Sequence, residues 1–235
     1  MEKYNKYNEI VKSKSPCNAE WKRLLAATND YEYFGVLKDN IQWVQNSGIL
    51  SDLIKVFTVD ELAGQNIFFN GSYSVENSLG IACGNSTVKA WGNSTVKAWD
   101  NSTVKACGNS TVKACGNSTV EACDNSTVEA WDNSTVEAWD NSTVEAWGNS
   151  TVRACGNSTV EAWGNSTVEA WGNSTVRAWD NSTVEAWGNS SIIFRLYGSP
   201  KFSYDKEKSV FVILKDELQG KTHIIVAGVE QIITN

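Results

Sequence analysis

The chain has no long hydrophobic run, a single histidine and no excess of basic charge, and each shortage removes a class of function. No stretch of eighteen apolar residues occurs among the 235, so no segment is expected to span a membrane. The opening MEKYNKYNEIVKSKS holds no apolar core of the kind a secretory signal needs, and a cytoplasmic protein is expected. Without export, the repeated Asn-Ser-Thr triplets are not expected to carry glycans, and their reason must be structural. Lysine and arginine total 20 against 27 acidic residues, a net charge of −7, which disfavours direct nucleic-acid binding. His223, the only histidine, lies in the apolar string THIIVAG and reads as a packed residue of a capping strand. There is no phosphate loop, no HExxH and no nucleophile elbow. The sequence therefore predicts no catalytic residue, no cofactor and no metal site: a non-enzyme.

Cysteine is present but not in metal or disulfide-framework spacing. Five of the six (Cys83, Cys107, Cys115, Cys123 and Cys155) stand a multiple of eight residues apart, unlike the paired CxxC of a zinc site. They occupy a position where other copies of a repeat carry Trp, and so read as a smaller apolar substitute. Six free thiols are expected in a reducing compartment, although rungs ~4.8 Å apart make a Cys107–Cys123 bond sterically conceivable.

What the chain has in abundance is one phrase. Residues 84–187 are thirteen uninterrupted octads of the form [Gly/Asp]-Asn-Ser-Thr-Val-[Lys/Glu/Arg]-Ala-[Trp/Cys]. Self-similarity at a fixed period marks a solenoid whose units bury themselves only against neighbours. Thr, Val and Trp favour strand, and the Gly/Asp-Asn pair supplies a turn. Side chains alternate along a strand. Ser, Val and Ala thus share one side, and Thr, the charged residue and Trp/Cys the other. Unpaired charge is not tolerated in a dry core, so Ser, Val and Ala face inward and Trp lies outside or at the corner.

Two such narrow faces fill the space between them, whereas three would enclose a void. The prediction is a mainly β protein, a two-sided β-solenoid of sixteen residues per coil. The inward Ser needs a hydrogen-bond partner, and the turn Asn is expected to stack in an amide ladder.

The flanks differ. Residues 1–66 read as a small helical region. Ser15-Pro16 suggests an N-cap and first turn, followed by Trp21, Leu24 and Leu25 on one face. A second helix is expected from Asp30 towards Gln45, with Phe34, Leu37, Ile41 and Val44 as its stripe and Gly48 beyond. Thr58 and Glu61 form a capping-box pattern. From Ile67 the chain reads as extended, broken at Asn70-Gly71. The solenoid is assigned to 67–197 and a β-strand C-terminal cap to 198–235.

The array resembles a known class of proteins. Bacterial ice-nucleation proteins carry octapeptide β-solenoid repeats of the Gly-Ser-Thr-x-Thr-Ala kind, to which GNSTVKA is similar across the middle half of the chain. The chain resembles more closely uncharacterised bacterial and phage-associated octapeptide proteins with Asn-x-Thr-Val-x-Ala-aromatic repeats and a helical N-terminal region. That resemblance covers nearly the whole chain, admits a phage-associated setting and implies no activity.

Three binding functions follow. Ice binding, implied by the first resemblance, would use outward hydroxyls, but a charge stands where the second one belongs: Lys89 after Thr87, Glu121 after Thr119. Mimicry of nucleic acid, to inhibit a DNA-binding or defence enzyme, would use the acidic second half with its turn aspartates. There, however, Arg153 and Arg177 interrupt the run, and Lys89, Lys97, Lys105 and Lys113 cover the first half. The favoured expectation is a structural or protein-interaction scaffold, because exposed Trp is costly on a free surface and enriched at interfaces. On one face the charged column runs Lys89, Lys105, Glu121, Glu137, Arg153, Glu169, Glu185, beside Trp91, Trp139, Trp171 and Trp187. A two-fold axis parallel to the strands opposes this column to itself in reverse. Lys89 then meets Glu185, Lys105 meets Glu169 and Glu121 meets Arg153, only Glu137 at the centre facing its own like charge, while Trp91 faces Trp187 and Trp139 faces itself. A face-to-face homodimer is expected, with a further protein partner compatible with it.

Overall fold

Each octad contributes a four-residue strand, Thr-Val-x-Ala, and turns through the four residues that follow. Twelve such strands run from β3 (Thr95–Ala98) to β14 (Thr183–Ala186), after β1 (Ile67–Glu76) and the long β2 (Leu79–Trp91). They are seen in a computed structural model that describes residues 2–188, 191–195, 201–204, 211–216, 221–226 and 229–234. Strands pair in parallel with the next but one in sequence: Val120 lies beside Val136, and Val136 beside Val152. Each coil is therefore sixteen residues, two octads, and the unit is a two-sided parallel β-solenoid of about eight turns.

Between strands the hydrogen bonding does not lapse. Thr135 N donates to Ser118 O at 2.9 Å, Trp139 N to Ala122 O at 2.8 Å, and Asn141 N to Asp124 O at 2.9 Å. Corners are thus bound rung to rung like the strands, which leaves few backbone groups unsatisfied.

The interior is the predicted one. Every Ser, Val and Ala of the thirteen octads is at most 1 % exposed. The serine hydroxyls find partners in their own turn: Ser110 Oγ donates to Cys107 O and Ser134 Oγ to Trp131 O, both at 2.8 Å. Ser86, at the start of the column, is the single buried side chain without a partner among the described residues. The Asn ladder is present as well, Asn165 Nδ2 donating to Asn149 Oδ1 at 3.2 Å and Asn117 to Asn101 at 3.4 Å.

The first octad position has a conformational reason for being Gly or Asp. It takes a left-handed backbone, φ 76° at Gly108 and 58° at Asp124, which glycine adopts freely and aspartate more readily than most residues. A Cβ on Gly108 would stand 3.0 Å from Gly92 O. Aspartate offsets its strain with a bond: Asp124 Oδ2 accepts from Gly108 N at 2.9 Å, and Asp180 Oδ2 from Gly164 N at 3.1 Å.

The parallel stack continues beyond 197, where the cap was expected to begin. β15 (Ser191–Arg195), β16 (Lys201–Tyr204) and β17 (Phe211–Asp216) keep parallel register, with Val176, Ile192 and Val212 in line. The octad wording is lost there, but Ile192 and Phe194, then Phe202 and Tyr204, stand in register with the octad Val and Ala. β18 (Lys221–Val226) and β19 (Val229–Thr234) then turn antiparallel. His223 sits in β18 in register with Leu214 and Ile232; its expected packing lies outside the described side chains.

Contacts divide the chain into two units, Met1–Phe69 and Asn70–Asn235. The first holds α1 (Glu2–Ser13), α2 (Asn18–Ala26), α3 (Asp30–Asp39), α4 (Ile41–Asn46), α5 (Val59–Ala63) and a 3-10 turn at Ser51–Lys55. α2 starts later than predicted. Ser15 takes φ 54°, which no N-cap adopts, and Cys17 precedes the helix without a side-chain cap bond. Leu25 is 54 % exposed, so only Leu24 of the expected pair is buried.

The predicted helix from Asp30 is interrupted at Asn40, where Nδ2 donates to Val36 O at 2.9 Å and to Glu20 at 2.8 Å. Phe34, Leu37, Ile41 and Val44 remain buried across the break, and Gly48 takes φ 72°. The capping box is formed: Glu61 N donates to Thr58 Oγ1 at 3.2 Å and Thr58 N to Glu61 Oε2 at 2.8 Å. Lys3 and these Thr58 bonds hold the Glu61 carboxyl down at about 2. Asn70 and Gly71 do not break the strand; both take positive φ within a continuous β1. No helix among the described residues is long and apolar enough to cross a membrane.

Two adjacent substitutions test the assignment of inside and outside. Val136 is fully buried and Thr135 exposed. Val136→Asp is expected to cost roughly 3 kcal/mol or more in urea unfolding, and Thr135→Asp to change stability by less than about 0.5 kcal/mol.

Candidate functional site

Alternate octads lie on the same side of the solenoid and align their outward residues into columns. On one side, Lys89, Lys105, Glu121, Glu137, Arg153, Glu169 and Glu185 occupy successive register positions. Two residues further along each octad, at the corner, stand Trp91, Trp139, Trp171 and Trp187, interrupted by Cys107, Cys123 and Cys155.

The charge order serves the single chain as well. At each change of sign along this column the two side chains pair. Lys105 Nζ lies 2.7 Å from Glu121, and Arg153 lies 3.8 Å from Glu137 and 3.1 Å from Glu169. The opposite column does the same through Lys113–Glu129 and Glu161–Arg177, both at 2.8 Å. Exposed pairs of this kind contribute little each, about 0.2–1 kcal/mol. Their arrangement matters more, because Lys89 at one end of the first column and Glu185 at the other have no ion pair among the described residues.

The indoles behave according to their neighbours. On the opposite face Trp131, Trp147, Trp163 and Trp179 stack with centroids 4.3–4.9 Å apart and planes within 14°. On the first face Trp171 and Trp187 stack at 5.5 Å, whereas Trp91 and Trp139 have cysteines on the adjoining rungs and are each 48 % exposed. Between those two lies a groove of about 230 Å³, floored by Cys107 and Cys123 and flanked by Lys105 and Glu121. Nothing in the octad wording announced this groove; the signal was the clustering of two Trp→Cys replacements sixteen residues apart.

Cys107 and Cys123 are joined as a disulfide, which corrects the expectation of six thiols. Parallel in-register rungs hold their Cα atoms 4.9 Å apart, inside the range a disulfide spans. Cys17, Cys83, Cys115 and Cys155 are free. Burial first, then nearby carboxylates, raises the Cys115 and Cys155 thiols above their ordinary range, and burial raises Cys83 most of all. Such thiols are poor nucleophiles near neutrality. The one group of three metal-capable side chains among the described residues is Cys107, Cys123 and Asp124. Its sulfurs are bonded to each other, and Asp124 Oδ2 already accepts from Gly108 N. In the N-terminal unit, Val11, Pro16, Trp21, Leu24 and Trp43 line a separate apolar groove of about 180 Å³.

Thiol titration of the denatured, unreduced chain is expected to count four groups, and six after reduction. In the native chain, alkylation of Cys155 is expected to be slow at pH 7 and to accelerate as pH rises past the ordinary thiol range, because its pKa is raised. Mass mapping of the adduct over a pH series checks this. Compared with known proteins, the chain matches no family model, no curated protein and no solved structure, so the geometry alone must carry a functional reading.

Proposed function

We propose that this protein is a non-catalytic scaffold that self-associates, two copies meeting through the face that carries Lys89 to Glu185. The observation that carries this reading is the corner column of that face. Trp91 and Trp139 are each 48 % exposed and the stacked Trp171 and Trp187 still 44 % and 38 %, so the whole column presents indole surface to solvent. Exposed aromatic area beside ordered charge is the composition of an interface rather than of a free surface.

The charges support a two-fold arrangement. Lys89 and Glu185, at opposite ends of the column, are the members without an internal ion pair among the described residues. Reversing the column against a second copy brings opposite signs towards each end. A two-fold contact of this kind closes on itself and gives a dimer rather than a filament.

The same ion pairs weigh against mimicry of nucleic acid, since Glu121, Glu129, Glu137, Glu161 and Glu169 are already paired within the chain. Ice binding is disfavoured by the charged column that stands beside the threonines. Ladders of like groups also supply no convergence of unlike groups, which catalysis requires.

Sedimentation of the full chain at micromolar concentration is expected to give the mass of two chains. Lys89→Glu with Lys105→Glu should reduce it to one, and adding Glu169→Lys and Glu185→Lys should restore two. A wild-type mass of one chain would remove the proposal.

A further inference from the structure

The corner column of this face carries a pattern that its charges do not explain. After Trp91 comes a gap of two cysteines, Cys107 and Cys123. Trp139 follows, then a gap of one, Cys155, and then the stacked pair Trp171 and Trp187. The uninterrupted ladder on the other face shows what a filled column looks like, one indole per rung with centroids 4.3–4.9 Å apart. At that spacing the double gap has room for two indoles and the single gap for one. The chain owns one stacked pair of indoles and one isolated indole between its two gaps.

Resting on the face-to-face pairing proposed above, we infer that these gaps are sockets for the tryptophans of a second copy of this chain, in a register set by the Trp/Cys order. The two-fold axis passes between the rungs of Trp139 and Cys155, half a rung from the register centred on Glu137. Trp187 of the second copy then lies over Cys107, its Trp171 over Cys123, and its Trp139 over Cys155. The symmetric contacts fill the second copy's gaps in the same way. The two columns merge into one ladder of eight indoles, four from each copy, with one on every rung.

Several observations favour this occupant and this register. A second copy has the same rung repeat, so a pair of its indoles enters a double gap without either being displaced along the axis. In the register centred on Glu137, by contrast, Trp91 meets Trp187, Trp139 meets itself, and Cys123 meets Cys155. Bulk against bulk would hold the faces apart and leave voids where the cysteines oppose each other, which close packing does not tolerate.

The charges tolerate the displaced register, although it gives up the Lys89–Glu185 match. Lys105 faces Glu185 and Glu137 faces Arg153. The like pair, Glu121 against Glu169, consists of two carboxylates already held by Lys105 at 2.7 Å and Arg153 at 3.1 Å in their own chains. The opposite face has no such complement, because its run of four stacked tryptophans has only single-cysteine gaps to meet. An indole over the Cys107–Cys123 sulfurs also makes a favourable sulfur–aromatic contact.

The test uses the full chain and sedimentation at one micromolar-range concentration. Cys107→Trp with Cys123→Trp fills the double gap. It keeps the fold, since Trp is what most octads carry at this position, and a thermal melt verifies that. The filled chain is expected to sediment as one chain where wild type sediments as two. Trp171→Cys with Trp187→Cys removes the pair that enters the gap and is expected to weaken the dimer as well. Mixing the two variants is expected to restore a two-chain species, because in the mixed pair every tryptophan on the six rungs from 107 to 187 again meets a cysteine. A filled variant that dimerises like wild type would overturn the sockets while leaving the face pairing intact. A folded mixture that stays monomeric would overturn them too. A monomeric wild type would remove both proposals together.

Discussion

The backbone hydrogen bond from one rung to the next, repeated every sixteen residues, is the constraint under which every other choice in the solenoid is made. It brings each residue beside its own equivalent about 4.8 Å away, so each position must be one that tolerates itself as a neighbour. Val on Val and Ala on Ala do so by dispersion and burial. Asn on Asn does so through a side-chain amide ladder. Gly at the corner does so because it takes the left-handed backbone freely. Where Asp replaces it, the carboxylate finds the amide of the adjoining rung, as Asp124 finds Gly108. Serine escapes the problem by bonding within its own turn.

Besides the Gly/Asp turn, two positions of the octad vary, the outward charge and the corner Trp/Cys. A column of identical charges would repel itself. Its sign therefore changes along the axis, and where it changes the side chains pair, as at Lys105–Glu121 and on both sides of Arg153. The corner position tolerates either an indole, which stacks on the next indole, or a cysteine, which leaves the neighbouring indole faces open. Variation in an otherwise invariant phrase is thus confined to outward positions where it changes the surface without disturbing the interior. Recognition by this solenoid is written in those two columns and the Gly/Asp turns, together with the threonines beside them.

The same stacking accounts for the bonded cysteines. In an antiparallel or irregular fold, two cysteines sixteen residues apart have no particular relation. Here the register places Cys107 beside Cys123 with Cα atoms 4.9 Å apart, and the bond ties adjacent coils together at the floor of the open groove. Cys115 and Cys155 have tryptophan at the adjoining rungs of their columns and remain single. Burial of these thiols is a further consequence of the corner, which sits half inside the turn.

Much of this was legible from the octads, because period, alternation and the exclusion of unpaired charge act locally and repeat thirteen times. The sixteen-residue coil, the buried Ser-Val-Ala side and the Asn ladder all follow from residue chemistry within one phrase. Thr58 and Glu61 were legible for the same reason: a capping box closes within four residues. Where no repetition averages out the ambiguity, local signals misled, and Ser15 and Asn40 show it. One has a left-handed backbone in place of an N-cap, and the other splits a stripe of apolar residues into two helices. The length of the parallel stack was also hidden, since β15 to β17 keep the register without keeping the phrase. By itself, then, the sequence determined the class of fold and which side of each strand is dry. Only the tertiary structure decided which charges pair, which cysteines bond and where indole faces stay open, because those depend on residues a full coil apart in the chain and one rung apart in space.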